Sequence, residues 1–302
     1  MIGTVYKSTG SWYKVKLENG KFIDCRLLGK FREKNIKSTN PVCVGDIVKL
    51  NNNKNTPQIE FIFDRKNYLI RKSVKLSKQF HIIASNIDIC FLIITVKNPE
   101  TSTMFIDRFL ASTFSYNIDT VLLFNKVDDI SDKEENTLKT FLATYKSAGY
   151  DCLKISGKKG INIDKLKLIM KGKSCVFSGH SGVGKSTLIN RLDSKINIKT
   201  LPISKSNLSG QHTTTFSEMY DLEFGSRIID TPGIKGFGLF DVSNFELKDF
   251  FKEFICVEQC KFNNCLHYNE PGCNVKILVE NGSISRSRYD NYIQLLEEIQ
   301  NS

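Results

Sequence analysis

The 302-residue chain has no run of eighteen apolar residues, which excludes an ordinary membrane-spanning helix. Its opening, Met1-Ile2-Gly3-Thr4-Val5-Tyr6-Lys7, lacks the charged-then-apolar layout of a secretory signal. Low complexity is absent too, and 40% hydrophobic residues suffice for real cores, so disorder is not the default and two or three domains are expected. The nine cysteines do not form a disulfide framework: Cys25, Cys43, Cys90, Cys152 and Cys175 stand singly in apolar or strand-like stretches, where a reduced thiol packs as a small hydrophobe. A cytoplasmic protein with no membrane partner follows as the simplest expectation. Acidic residues are scarce in one place only. Residues 1–80 carry 17 Lys and Arg against 6 Asp and Glu, and the remainder is balanced, so the whole net charge of +11 sits in the first quarter. Without an amphipathic helix beside it, that charge favours nucleic acid over a membrane surface.

What is present begins with short strands and turn signals. Ile2 to Ser8, Trp12 to Leu17, Lys21 to Leu27, Ile47 to Leu50 and Gln58 to Phe63 read as five strands, with Asn19-Gly20 and Gly45-Asp46 at turns. They predict a small OB-like barrel over residues 1–65, with Lys and Arg on its loops and Tyr6, Trp12, Tyr13 or Phe31 as stacking candidates for RNA unless they fill its core. Residues 66–80, basic and rich in Ser and Asn, read as a linker or strap.

From residue 81 the pattern alternates. Ile87 to Val96 is a near-continuous β-branched run, Met104 to Tyr116 a helix, Val121 to Phe124 a strand, Lys133 to Ala148 a polar helix and Cys152 to Ile155 another strand. Ser174 to Phe177 reads as a buried strand and Lys185 to Leu192 as a helix. Strands Phe216 to Phe224 and Arg227 to Ile229 follow a long polar loop over 193–215. Strand and helix alternation predicts a mostly parallel sheet with its ligand at the strands' C-terminal edge.

The loop joining that buried strand to the helix is Gly179-His180-Ser181-Gly182-Val183-Gly184-Lys185-Ser186-Thr187, which matches G-x-x-x-x-G-K-[ST] without a mismatch. Its glycines let successive N–H groups converge on phosphate oxygens, aided by the positive helix end. Lys185 would reach the β- and γ-phosphates, and the Ser186 hydroxyl would hold Mg²⁺. His180 would pack or touch phosphate. Two further motifs converge on the same chemistry: Asn125-Lys126-Val127-Asp128 at a strand end, and Asp230-Thr231-Pro232-Gly233 at another. Together they look like the guanine-nucleotide signature of the GTPases. The Asp128 carboxylate can accept from the ring N–H and exocyclic amine of guanine, which adenine does not offer, so ATP would cost a few kcal/mol of unpaired charge. Asn125 would brace the loop and touch the base, Lys126 would lie over the ring, and Ser156-Gly157-Lys158 resembles the loop closing over the other edge.

Downstream, Cys260, Cys265, His267 and Cys273 give C-x₄-C-x-H-x₅-C, the ligand set of a closed tetrahedral zinc site with a structural role. Cys256 is the spare, its spacing wider. Tyr289, Tyr292, Leu296 and Ile299 at helical spacing predict a docking face for this subdomain, residues 242–302.

The order of these motifs is unusual, because the base-reading motif precedes the phosphate loop. Set between a small barrel and a cysteine cluster, that permuted order resembles the ribosome small-subunit-dependent GTPase A family over essentially the whole chain. The resemblance implies a multidomain α/β protein: the barrel, a circularly permuted P-loop GTPase domain over 81–241 and a zinc-binding C-terminal subdomain. It implies a monomeric GTP hydrolase that binds GTP and GDP with Mg²⁺, carries one structural zinc, contacts rRNA, and is stimulated by the small (30S) ribosomal subunit. By the family pattern Thr214 joins Ser186 on Mg²⁺, Asp230 steadies a metal-bound water, the Gly233 N–H senses the γ-phosphate, and Cys260 rather than Cys256 is the first zinc ligand. Ile234 follows Gly233 where many GTPases carry a glutamine, so slow intrinsic turnover is expected, with His212 as the chain's own candidate to orient water. The competing expectation is an RNA-binding assembly chaperone in which GTP only fixes geometry.

Overall fold

The computed structural model describes residues 1–28, 40–51, 56–72, 80–196, 217–230, 242–255 and 257–301. The first five strands are β1 (Ile2–Ser8), β2 (Tyr13–Leu17), β3 (Phe22–Leu27), β4 (Ile47–Asn51) and β5 (Gln58–Ile62). They run in the order β1-β2-β3-β5-β4, and β4 returns to β1 with Gly3 opposite Val48, which closes the barrel. Alternation sends Val5, Tyr13, Val15, Leu17, Val48 and Leu50 inward around Cys25 and Ile59.

Two of the aromatic stacking candidates are therefore not on the surface. Tyr13 fills the barrel, and Tyr6 turns the other way, into the core of the next sheet, where its hydroxyl donates to Asp221 at 2.7 Å. Trp12 is 41% exposed, with the Arg26 guanidinium 4.2 Å over its ring. Phe31 lies outside the described residues.

The stretch read as a linker contains a strand. β6 (Tyr68–Lys72) pairs antiparallel with β7 (Phe80–Ser85), because Leu69, Ile83 and Ala84 have apolar surface to bury in the neighbouring core. Asn67 fastens the entry: its amide donates to the carbonyls of Ile87 and Asn117 and accepts from the Ile87 N–H. At the barrel's foot the fully buried Asp46 carboxylate takes two bonds from Arg65, both 2.7 Å, and one from the Ser85 hydroxyl at 2.6 Å.

Five parallel strands form the central sheet: β8 (Ile89–Ile94), β9 (Thr120–Phe124), β10 (Asp151–Lys154), β11 (Ser174–Ser178) and β13 (Arg227–Asp230), in the order β10-β9-β8-β11-β13. β12 (Glu218–Asp221) adds antiparallel to β13 and meets β1 at Lys7 opposite Glu218, so barrel and central sheet are continuous. β8 is buried on both faces, as its sequence requires. Cys90, Leu92 and Ile94 face α1 (Thr103–Ser115) and α2 (Asp132–Ser147), while Ile89, Phe91 and Ile93 face α3 (Ile163–Met170) and α4 (Lys185–Leu192). The eight-residue α3 was not among the expected elements, although Ile163, Leu166 and Met170 keep helical spacing.

The C-terminal part holds a 3-10 turn at Leu247–Phe250, then α5 (Lys252–Ile255), α6 (Asn274–Glu280) and α7 (Arg286–Gln300). Of the docking face expected on α7, Tyr289, Tyr292 and Leu296 are buried against Phe251, Phe254 and Ala111 of α1, Ile299 is only partly buried there, and Leu295, not expected, joins them. Arg288 lies buried at that joint, forked onto Glu253 at 2.7 and 2.8 Å and bonded to Asp107 of α1 at 2.7 Å.

Candidate functional site

The site forms where the parallel strands end. β11 delivers the chain into Gly179, whose φ of 153° and close quarters admit no side chain: a Cβ there would stand 2.8 Å from the Ile93 carbonyl oxygen. Gly184, at φ 95°, opens α4, and a Cβ on it would meet the Asn125 amide nitrogen at 2.6 Å. Between them run His180, Ser181, Gly182 and Val183, and Lys185, Ser186 and Thr187 form the first turn of the helix. The imidazole of His180 lies on the Phe105 ring of α1, centroids 3.8 Å apart, and burial lowers its pKa from 6.5, so it is neutral at physiological pH.

Asn125 follows β9 and joins the two halves of the site. Its amide donates to the Val183 carbonyl at 2.8 Å, and its oxygen accepts from the Gly157 N–H at 3.1 Å. Lys126, at φ 65°, donates to the Gly182 carbonyl at 2.7 Å and to that of Asn98, and burial lowers its pKa. Val127 is partly buried against the core of the central sheet. A bond from the Ser156 hydroxyl, with Lys158 and Lys159 nearby, holds the Asp128 carboxyl below the usual carboxylate range. It is thus an ionised acceptor at neutral pH. Ser156 is fully buried, and its hydroxyl also receives the Lys159 N–H at 2.9 Å, which shapes the loop carrying Gly157 and Lys158. On the phosphate side Lys185 Nζ stands 3.3 Å from the Asp230 carboxylate at the end of β13. Residues 179–187, residues 125–128, the 156–158 loop and Asp230 are therefore contiguous. His212, Thr214 and Gly233 lie outside the described residues.

A second constellation sits in the C-terminal part. The ligand atoms of Cys260, Cys265, His267 and Cys273 all lie within 4.8 Å of one another. His267 Nδ1 is 3.7 Å from the Cys260 sulfur and 3.3 Å from that of Cys273, and the two sulfurs are 4.0 Å apart. Zinc–sulfur bonds of about 2.3 Å at tetrahedral angles put neighbouring ligand atoms roughly 3.5–3.8 Å apart, so the donor set fits one closed tetrahedral ion. Surrounding bonds fix the ligand backbone: Glu270 accepts the Leu266 and Tyr268 N–H groups, and the Tyr289 hydroxyl donates to the His267 carbonyl at 2.7 Å.

The family model of the RsgA GTPase matches residues 62–240, and that of the RsgA N-terminal domain matches residues 2–58. The chain belongs to the RsgA GTPase family. Among RsgA proteins it is 55% identical over 98% of its length to the small ribosomal subunit biogenesis GTPase RsgA of Christiangramia forsetii, 96% of which is covered. It is 51% identical to RsgA 2 of Bacteroides thetaiotaomicron, covering 99% of this chain and 97% of the relative. Its fold follows the crystal structure of YjeQ from Thermotoga maritima with a TM-score of 0.83 at 34% identity, over 100% of this chain and 99% of that one. YloQ, described as a circularly permuted GTPase, follows at 0.77 and 29% identity, over 99% and 95%.

Within this RsgA framework the structure adds participants that no motif announced. Phe105 carries the His180 ring and Asn98 anchors Lys126. Arg191, near the end of α4, bonds the Gly157 carbonyl at 3.2 Å and the Lys158 carbonyl at 2.7 Å. Contacts of this kind leave no sequence signal, because main-chain acceptors are the same at every residue.

Proposed function

We propose that the chain binds GTP with Mg²⁺ at this edge of the sheet and hydrolyses it in the biogenesis of the small ribosomal subunit, the role named for its relatives. The observation that carries this reading is the double bond set of Asn125, to Val183 in the phosphate loop and to Gly157 in the base-side loop. One side chain thereby spans both ends of a nucleotide although their motifs are swapped in sequence. Asp128 would read guanine, with Lys126 along the ring and the Ser156, Gly157 and Lys158 loop over the other edge. Main-chain N–H groups from Gly179 to Thr187, with Lys185, would hold the phosphates.

Mg²⁺ neutralises phosphate charge when bound; Ser186 and Thr214 are the residues that would hold it, and Asp230 would steady a water beside them. Lys185, 3.3 Å from the Asp230 carboxylate, would reach the β- and γ-oxygens. Gly233 would respond to the γ-phosphate and His212 would orient the attacking water. The cysteine and histidine donors of residues 260–273 favour zinc over harder ions, one per chain, in a structural role. The barrel, within residues 1–65, supplies the surface for rRNA, with Trp12 and Arg26 its exposed stacking pair. It would act as a cytoplasmic monomer; no helix among the described residues is long and apolar enough to cross a membrane.

The test is GTP turnover with and without small ribosomal subunits. Stimulation by the subunit, lost by at least about a hundredfold in Lys185→Ala and strongly reduced in His212→Ala, is the expected outcome. Equal turnover in every sample refutes the enzyme reading.

A further inference from the structure

We infer that Arg191 is a positioning residue for guanine recognition, setting the orientation of the 156–158 loop from the phosphate-binding helix. The inference rests on the nucleotide site proposed above and adds to it a residue outside the motifs. α4 begins at the phosphate lysine, Lys185, and carries Arg191 six residues later, about 9 Å along the helix axis. From there the guanidinium reaches out of the helix to two consecutive carbonyls, Gly157 at 3.2 Å and Lys158 at 2.7 Å. Among the described residues it forms no ion pair with a carboxylate, so its partners are these main-chain oxygens.

Two bonded carbonyls fix two peptide planes. In a trans peptide the N–H points opposite to the C=O, so holding the Gly157 carbonyl toward α4 turns the Lys158 N–H away from α4. The next N–H, that of Lys159, is committed to the Ser156 hydroxyl at 2.9 Å, and the preceding one, that of Gly157, to Asn125 at 3.1 Å. The Lys158 N–H has no acceptor among the described residues, which leaves it as the loop's free donor. Guanine presents a carbonyl oxygen at the edge where adenine presents an amine, so a fixed N–H donor on this loop favours guanine and disfavours adenine. Gly157 is held close as well: a Cβ on it would press 3.3 Å from the Leu188 backbone of α4. Loop and helix thus meet directly, and Arg191 sets the angle at which they do.

The experiment measures GDP and ADP affinities of the full-length, metal-replete protein and its Arg191→Ala and Arg191→Lys variants, with amide exchange of residues 156–160 in nucleotide-free protein. Arg191→Ala should weaken GDP about tenfold while leaving ADP within twofold, so that the preference for guanine shrinks, and should speed exchange in the loop. Arg191→Lys, able to reach one carbonyl at a time, should fall between. Equal weakening of GDP and ADP would mean that Arg191 merely supports α4, and an unchanged GDP affinity would mean that the loop holds itself; either overturns the inference while the nucleotide site stands. Wild-type protein without a preference for GDP over ADP would overturn the site and this inference together.

Discussion

Replacing Arg288 by methionine would leave two carboxylates buried without their cation at the joint between α1, α5 and α7. The guanidinium is 1% exposed, and its three bonds of 2.7 to 2.8 Å reach Asp107, also buried, and Glu253. Phe251 lies 4.7 Å from it and Tyr150 5.6 Å, so water cannot take its place cheaply. Breaking such a set from one side costs about 3–5 kcal/mol, a large share of the roughly 5–15 kcal/mol that holds a domain. The loss should depend on pH. Burial already pushes the Asp107 carboxyl up, against the pull of Arg288, and removing that pull raises it further. A folded-state pKa above the unfolded value means the native state binds more protons, so the variant's stability falls as pH rises through that folded pKa. Urea unfolding followed by circular dichroism at pH 5 and pH 8, with amide exchange read in α7, measures this. The variant should be weaker at both and worst at pH 8, and adding Asp107→Leu and Glu253→Met should restore most of the loss. A cost below about 1 kcal/mol, or one independent of pH, refutes the reasoning.

Two further outcomes follow from the geometry. Stripping metal with a chelator should cost the helical signal and exchange protection of α6 and α7 while the barrel stays protected; a chain that carries no metal and melts identically with chelator would contradict the cluster's role. His180, neutral against Phe105, has a pKa lowered by burial, so its contribution is complete above 6.5 and is lost as pH falls below it, where the unfolded chain takes up a proton first. His180→Phe should keep the stacking and flatten the stability profile between pH 7.5 and 5.5; an unchanged slope would count against it.

The parts readable from sequence were those in which chemistry or periodicity dictates residue identity. A phosphate loop needs its glycines and lysine, a metal site its four donors, and a strand buried on two faces its β-branched run, so β8 and β11 form where their sequence predicts and the four candidate donors lie together. Tyr6 was ambiguous because β1 is shared: it serves the barrel on one face and the central sheet on the other, and alternation cannot say which face is wet. The hairpin of β6 and β7 hid in a basic, Ser-rich stretch whose few apolar residues matter only beside a core supplied by other segments. Arg288 reads as surface by type. Its burial makes sense only with Asp107, 181 positions earlier.

Swapping the motif order changes what lies next to the candidate nucleotide site in the chain rather than in space. Parallel strands pair by hydrogen bonds that do not depend on which segment came first, so β8, β9 and β11 still bring Asn125 against Val183. What the permuted order alters is the exit. In sequence the C-terminal part follows the segment after Asp230; its α7 is clamped by Arg288 to α1, and α1 carries the Phe105 ring under His180. The C-terminal part, with its Cys and His cluster, is thus tied to the candidate nucleotide site through a packed helix. The barrel is joined to the same sheet through β12, which follows the phosphate loop and precedes Asp230. The barrel thus reaches the central sheet at β12, beside the strand that ends in Asp230, whereas the C-terminal part reaches it through α1.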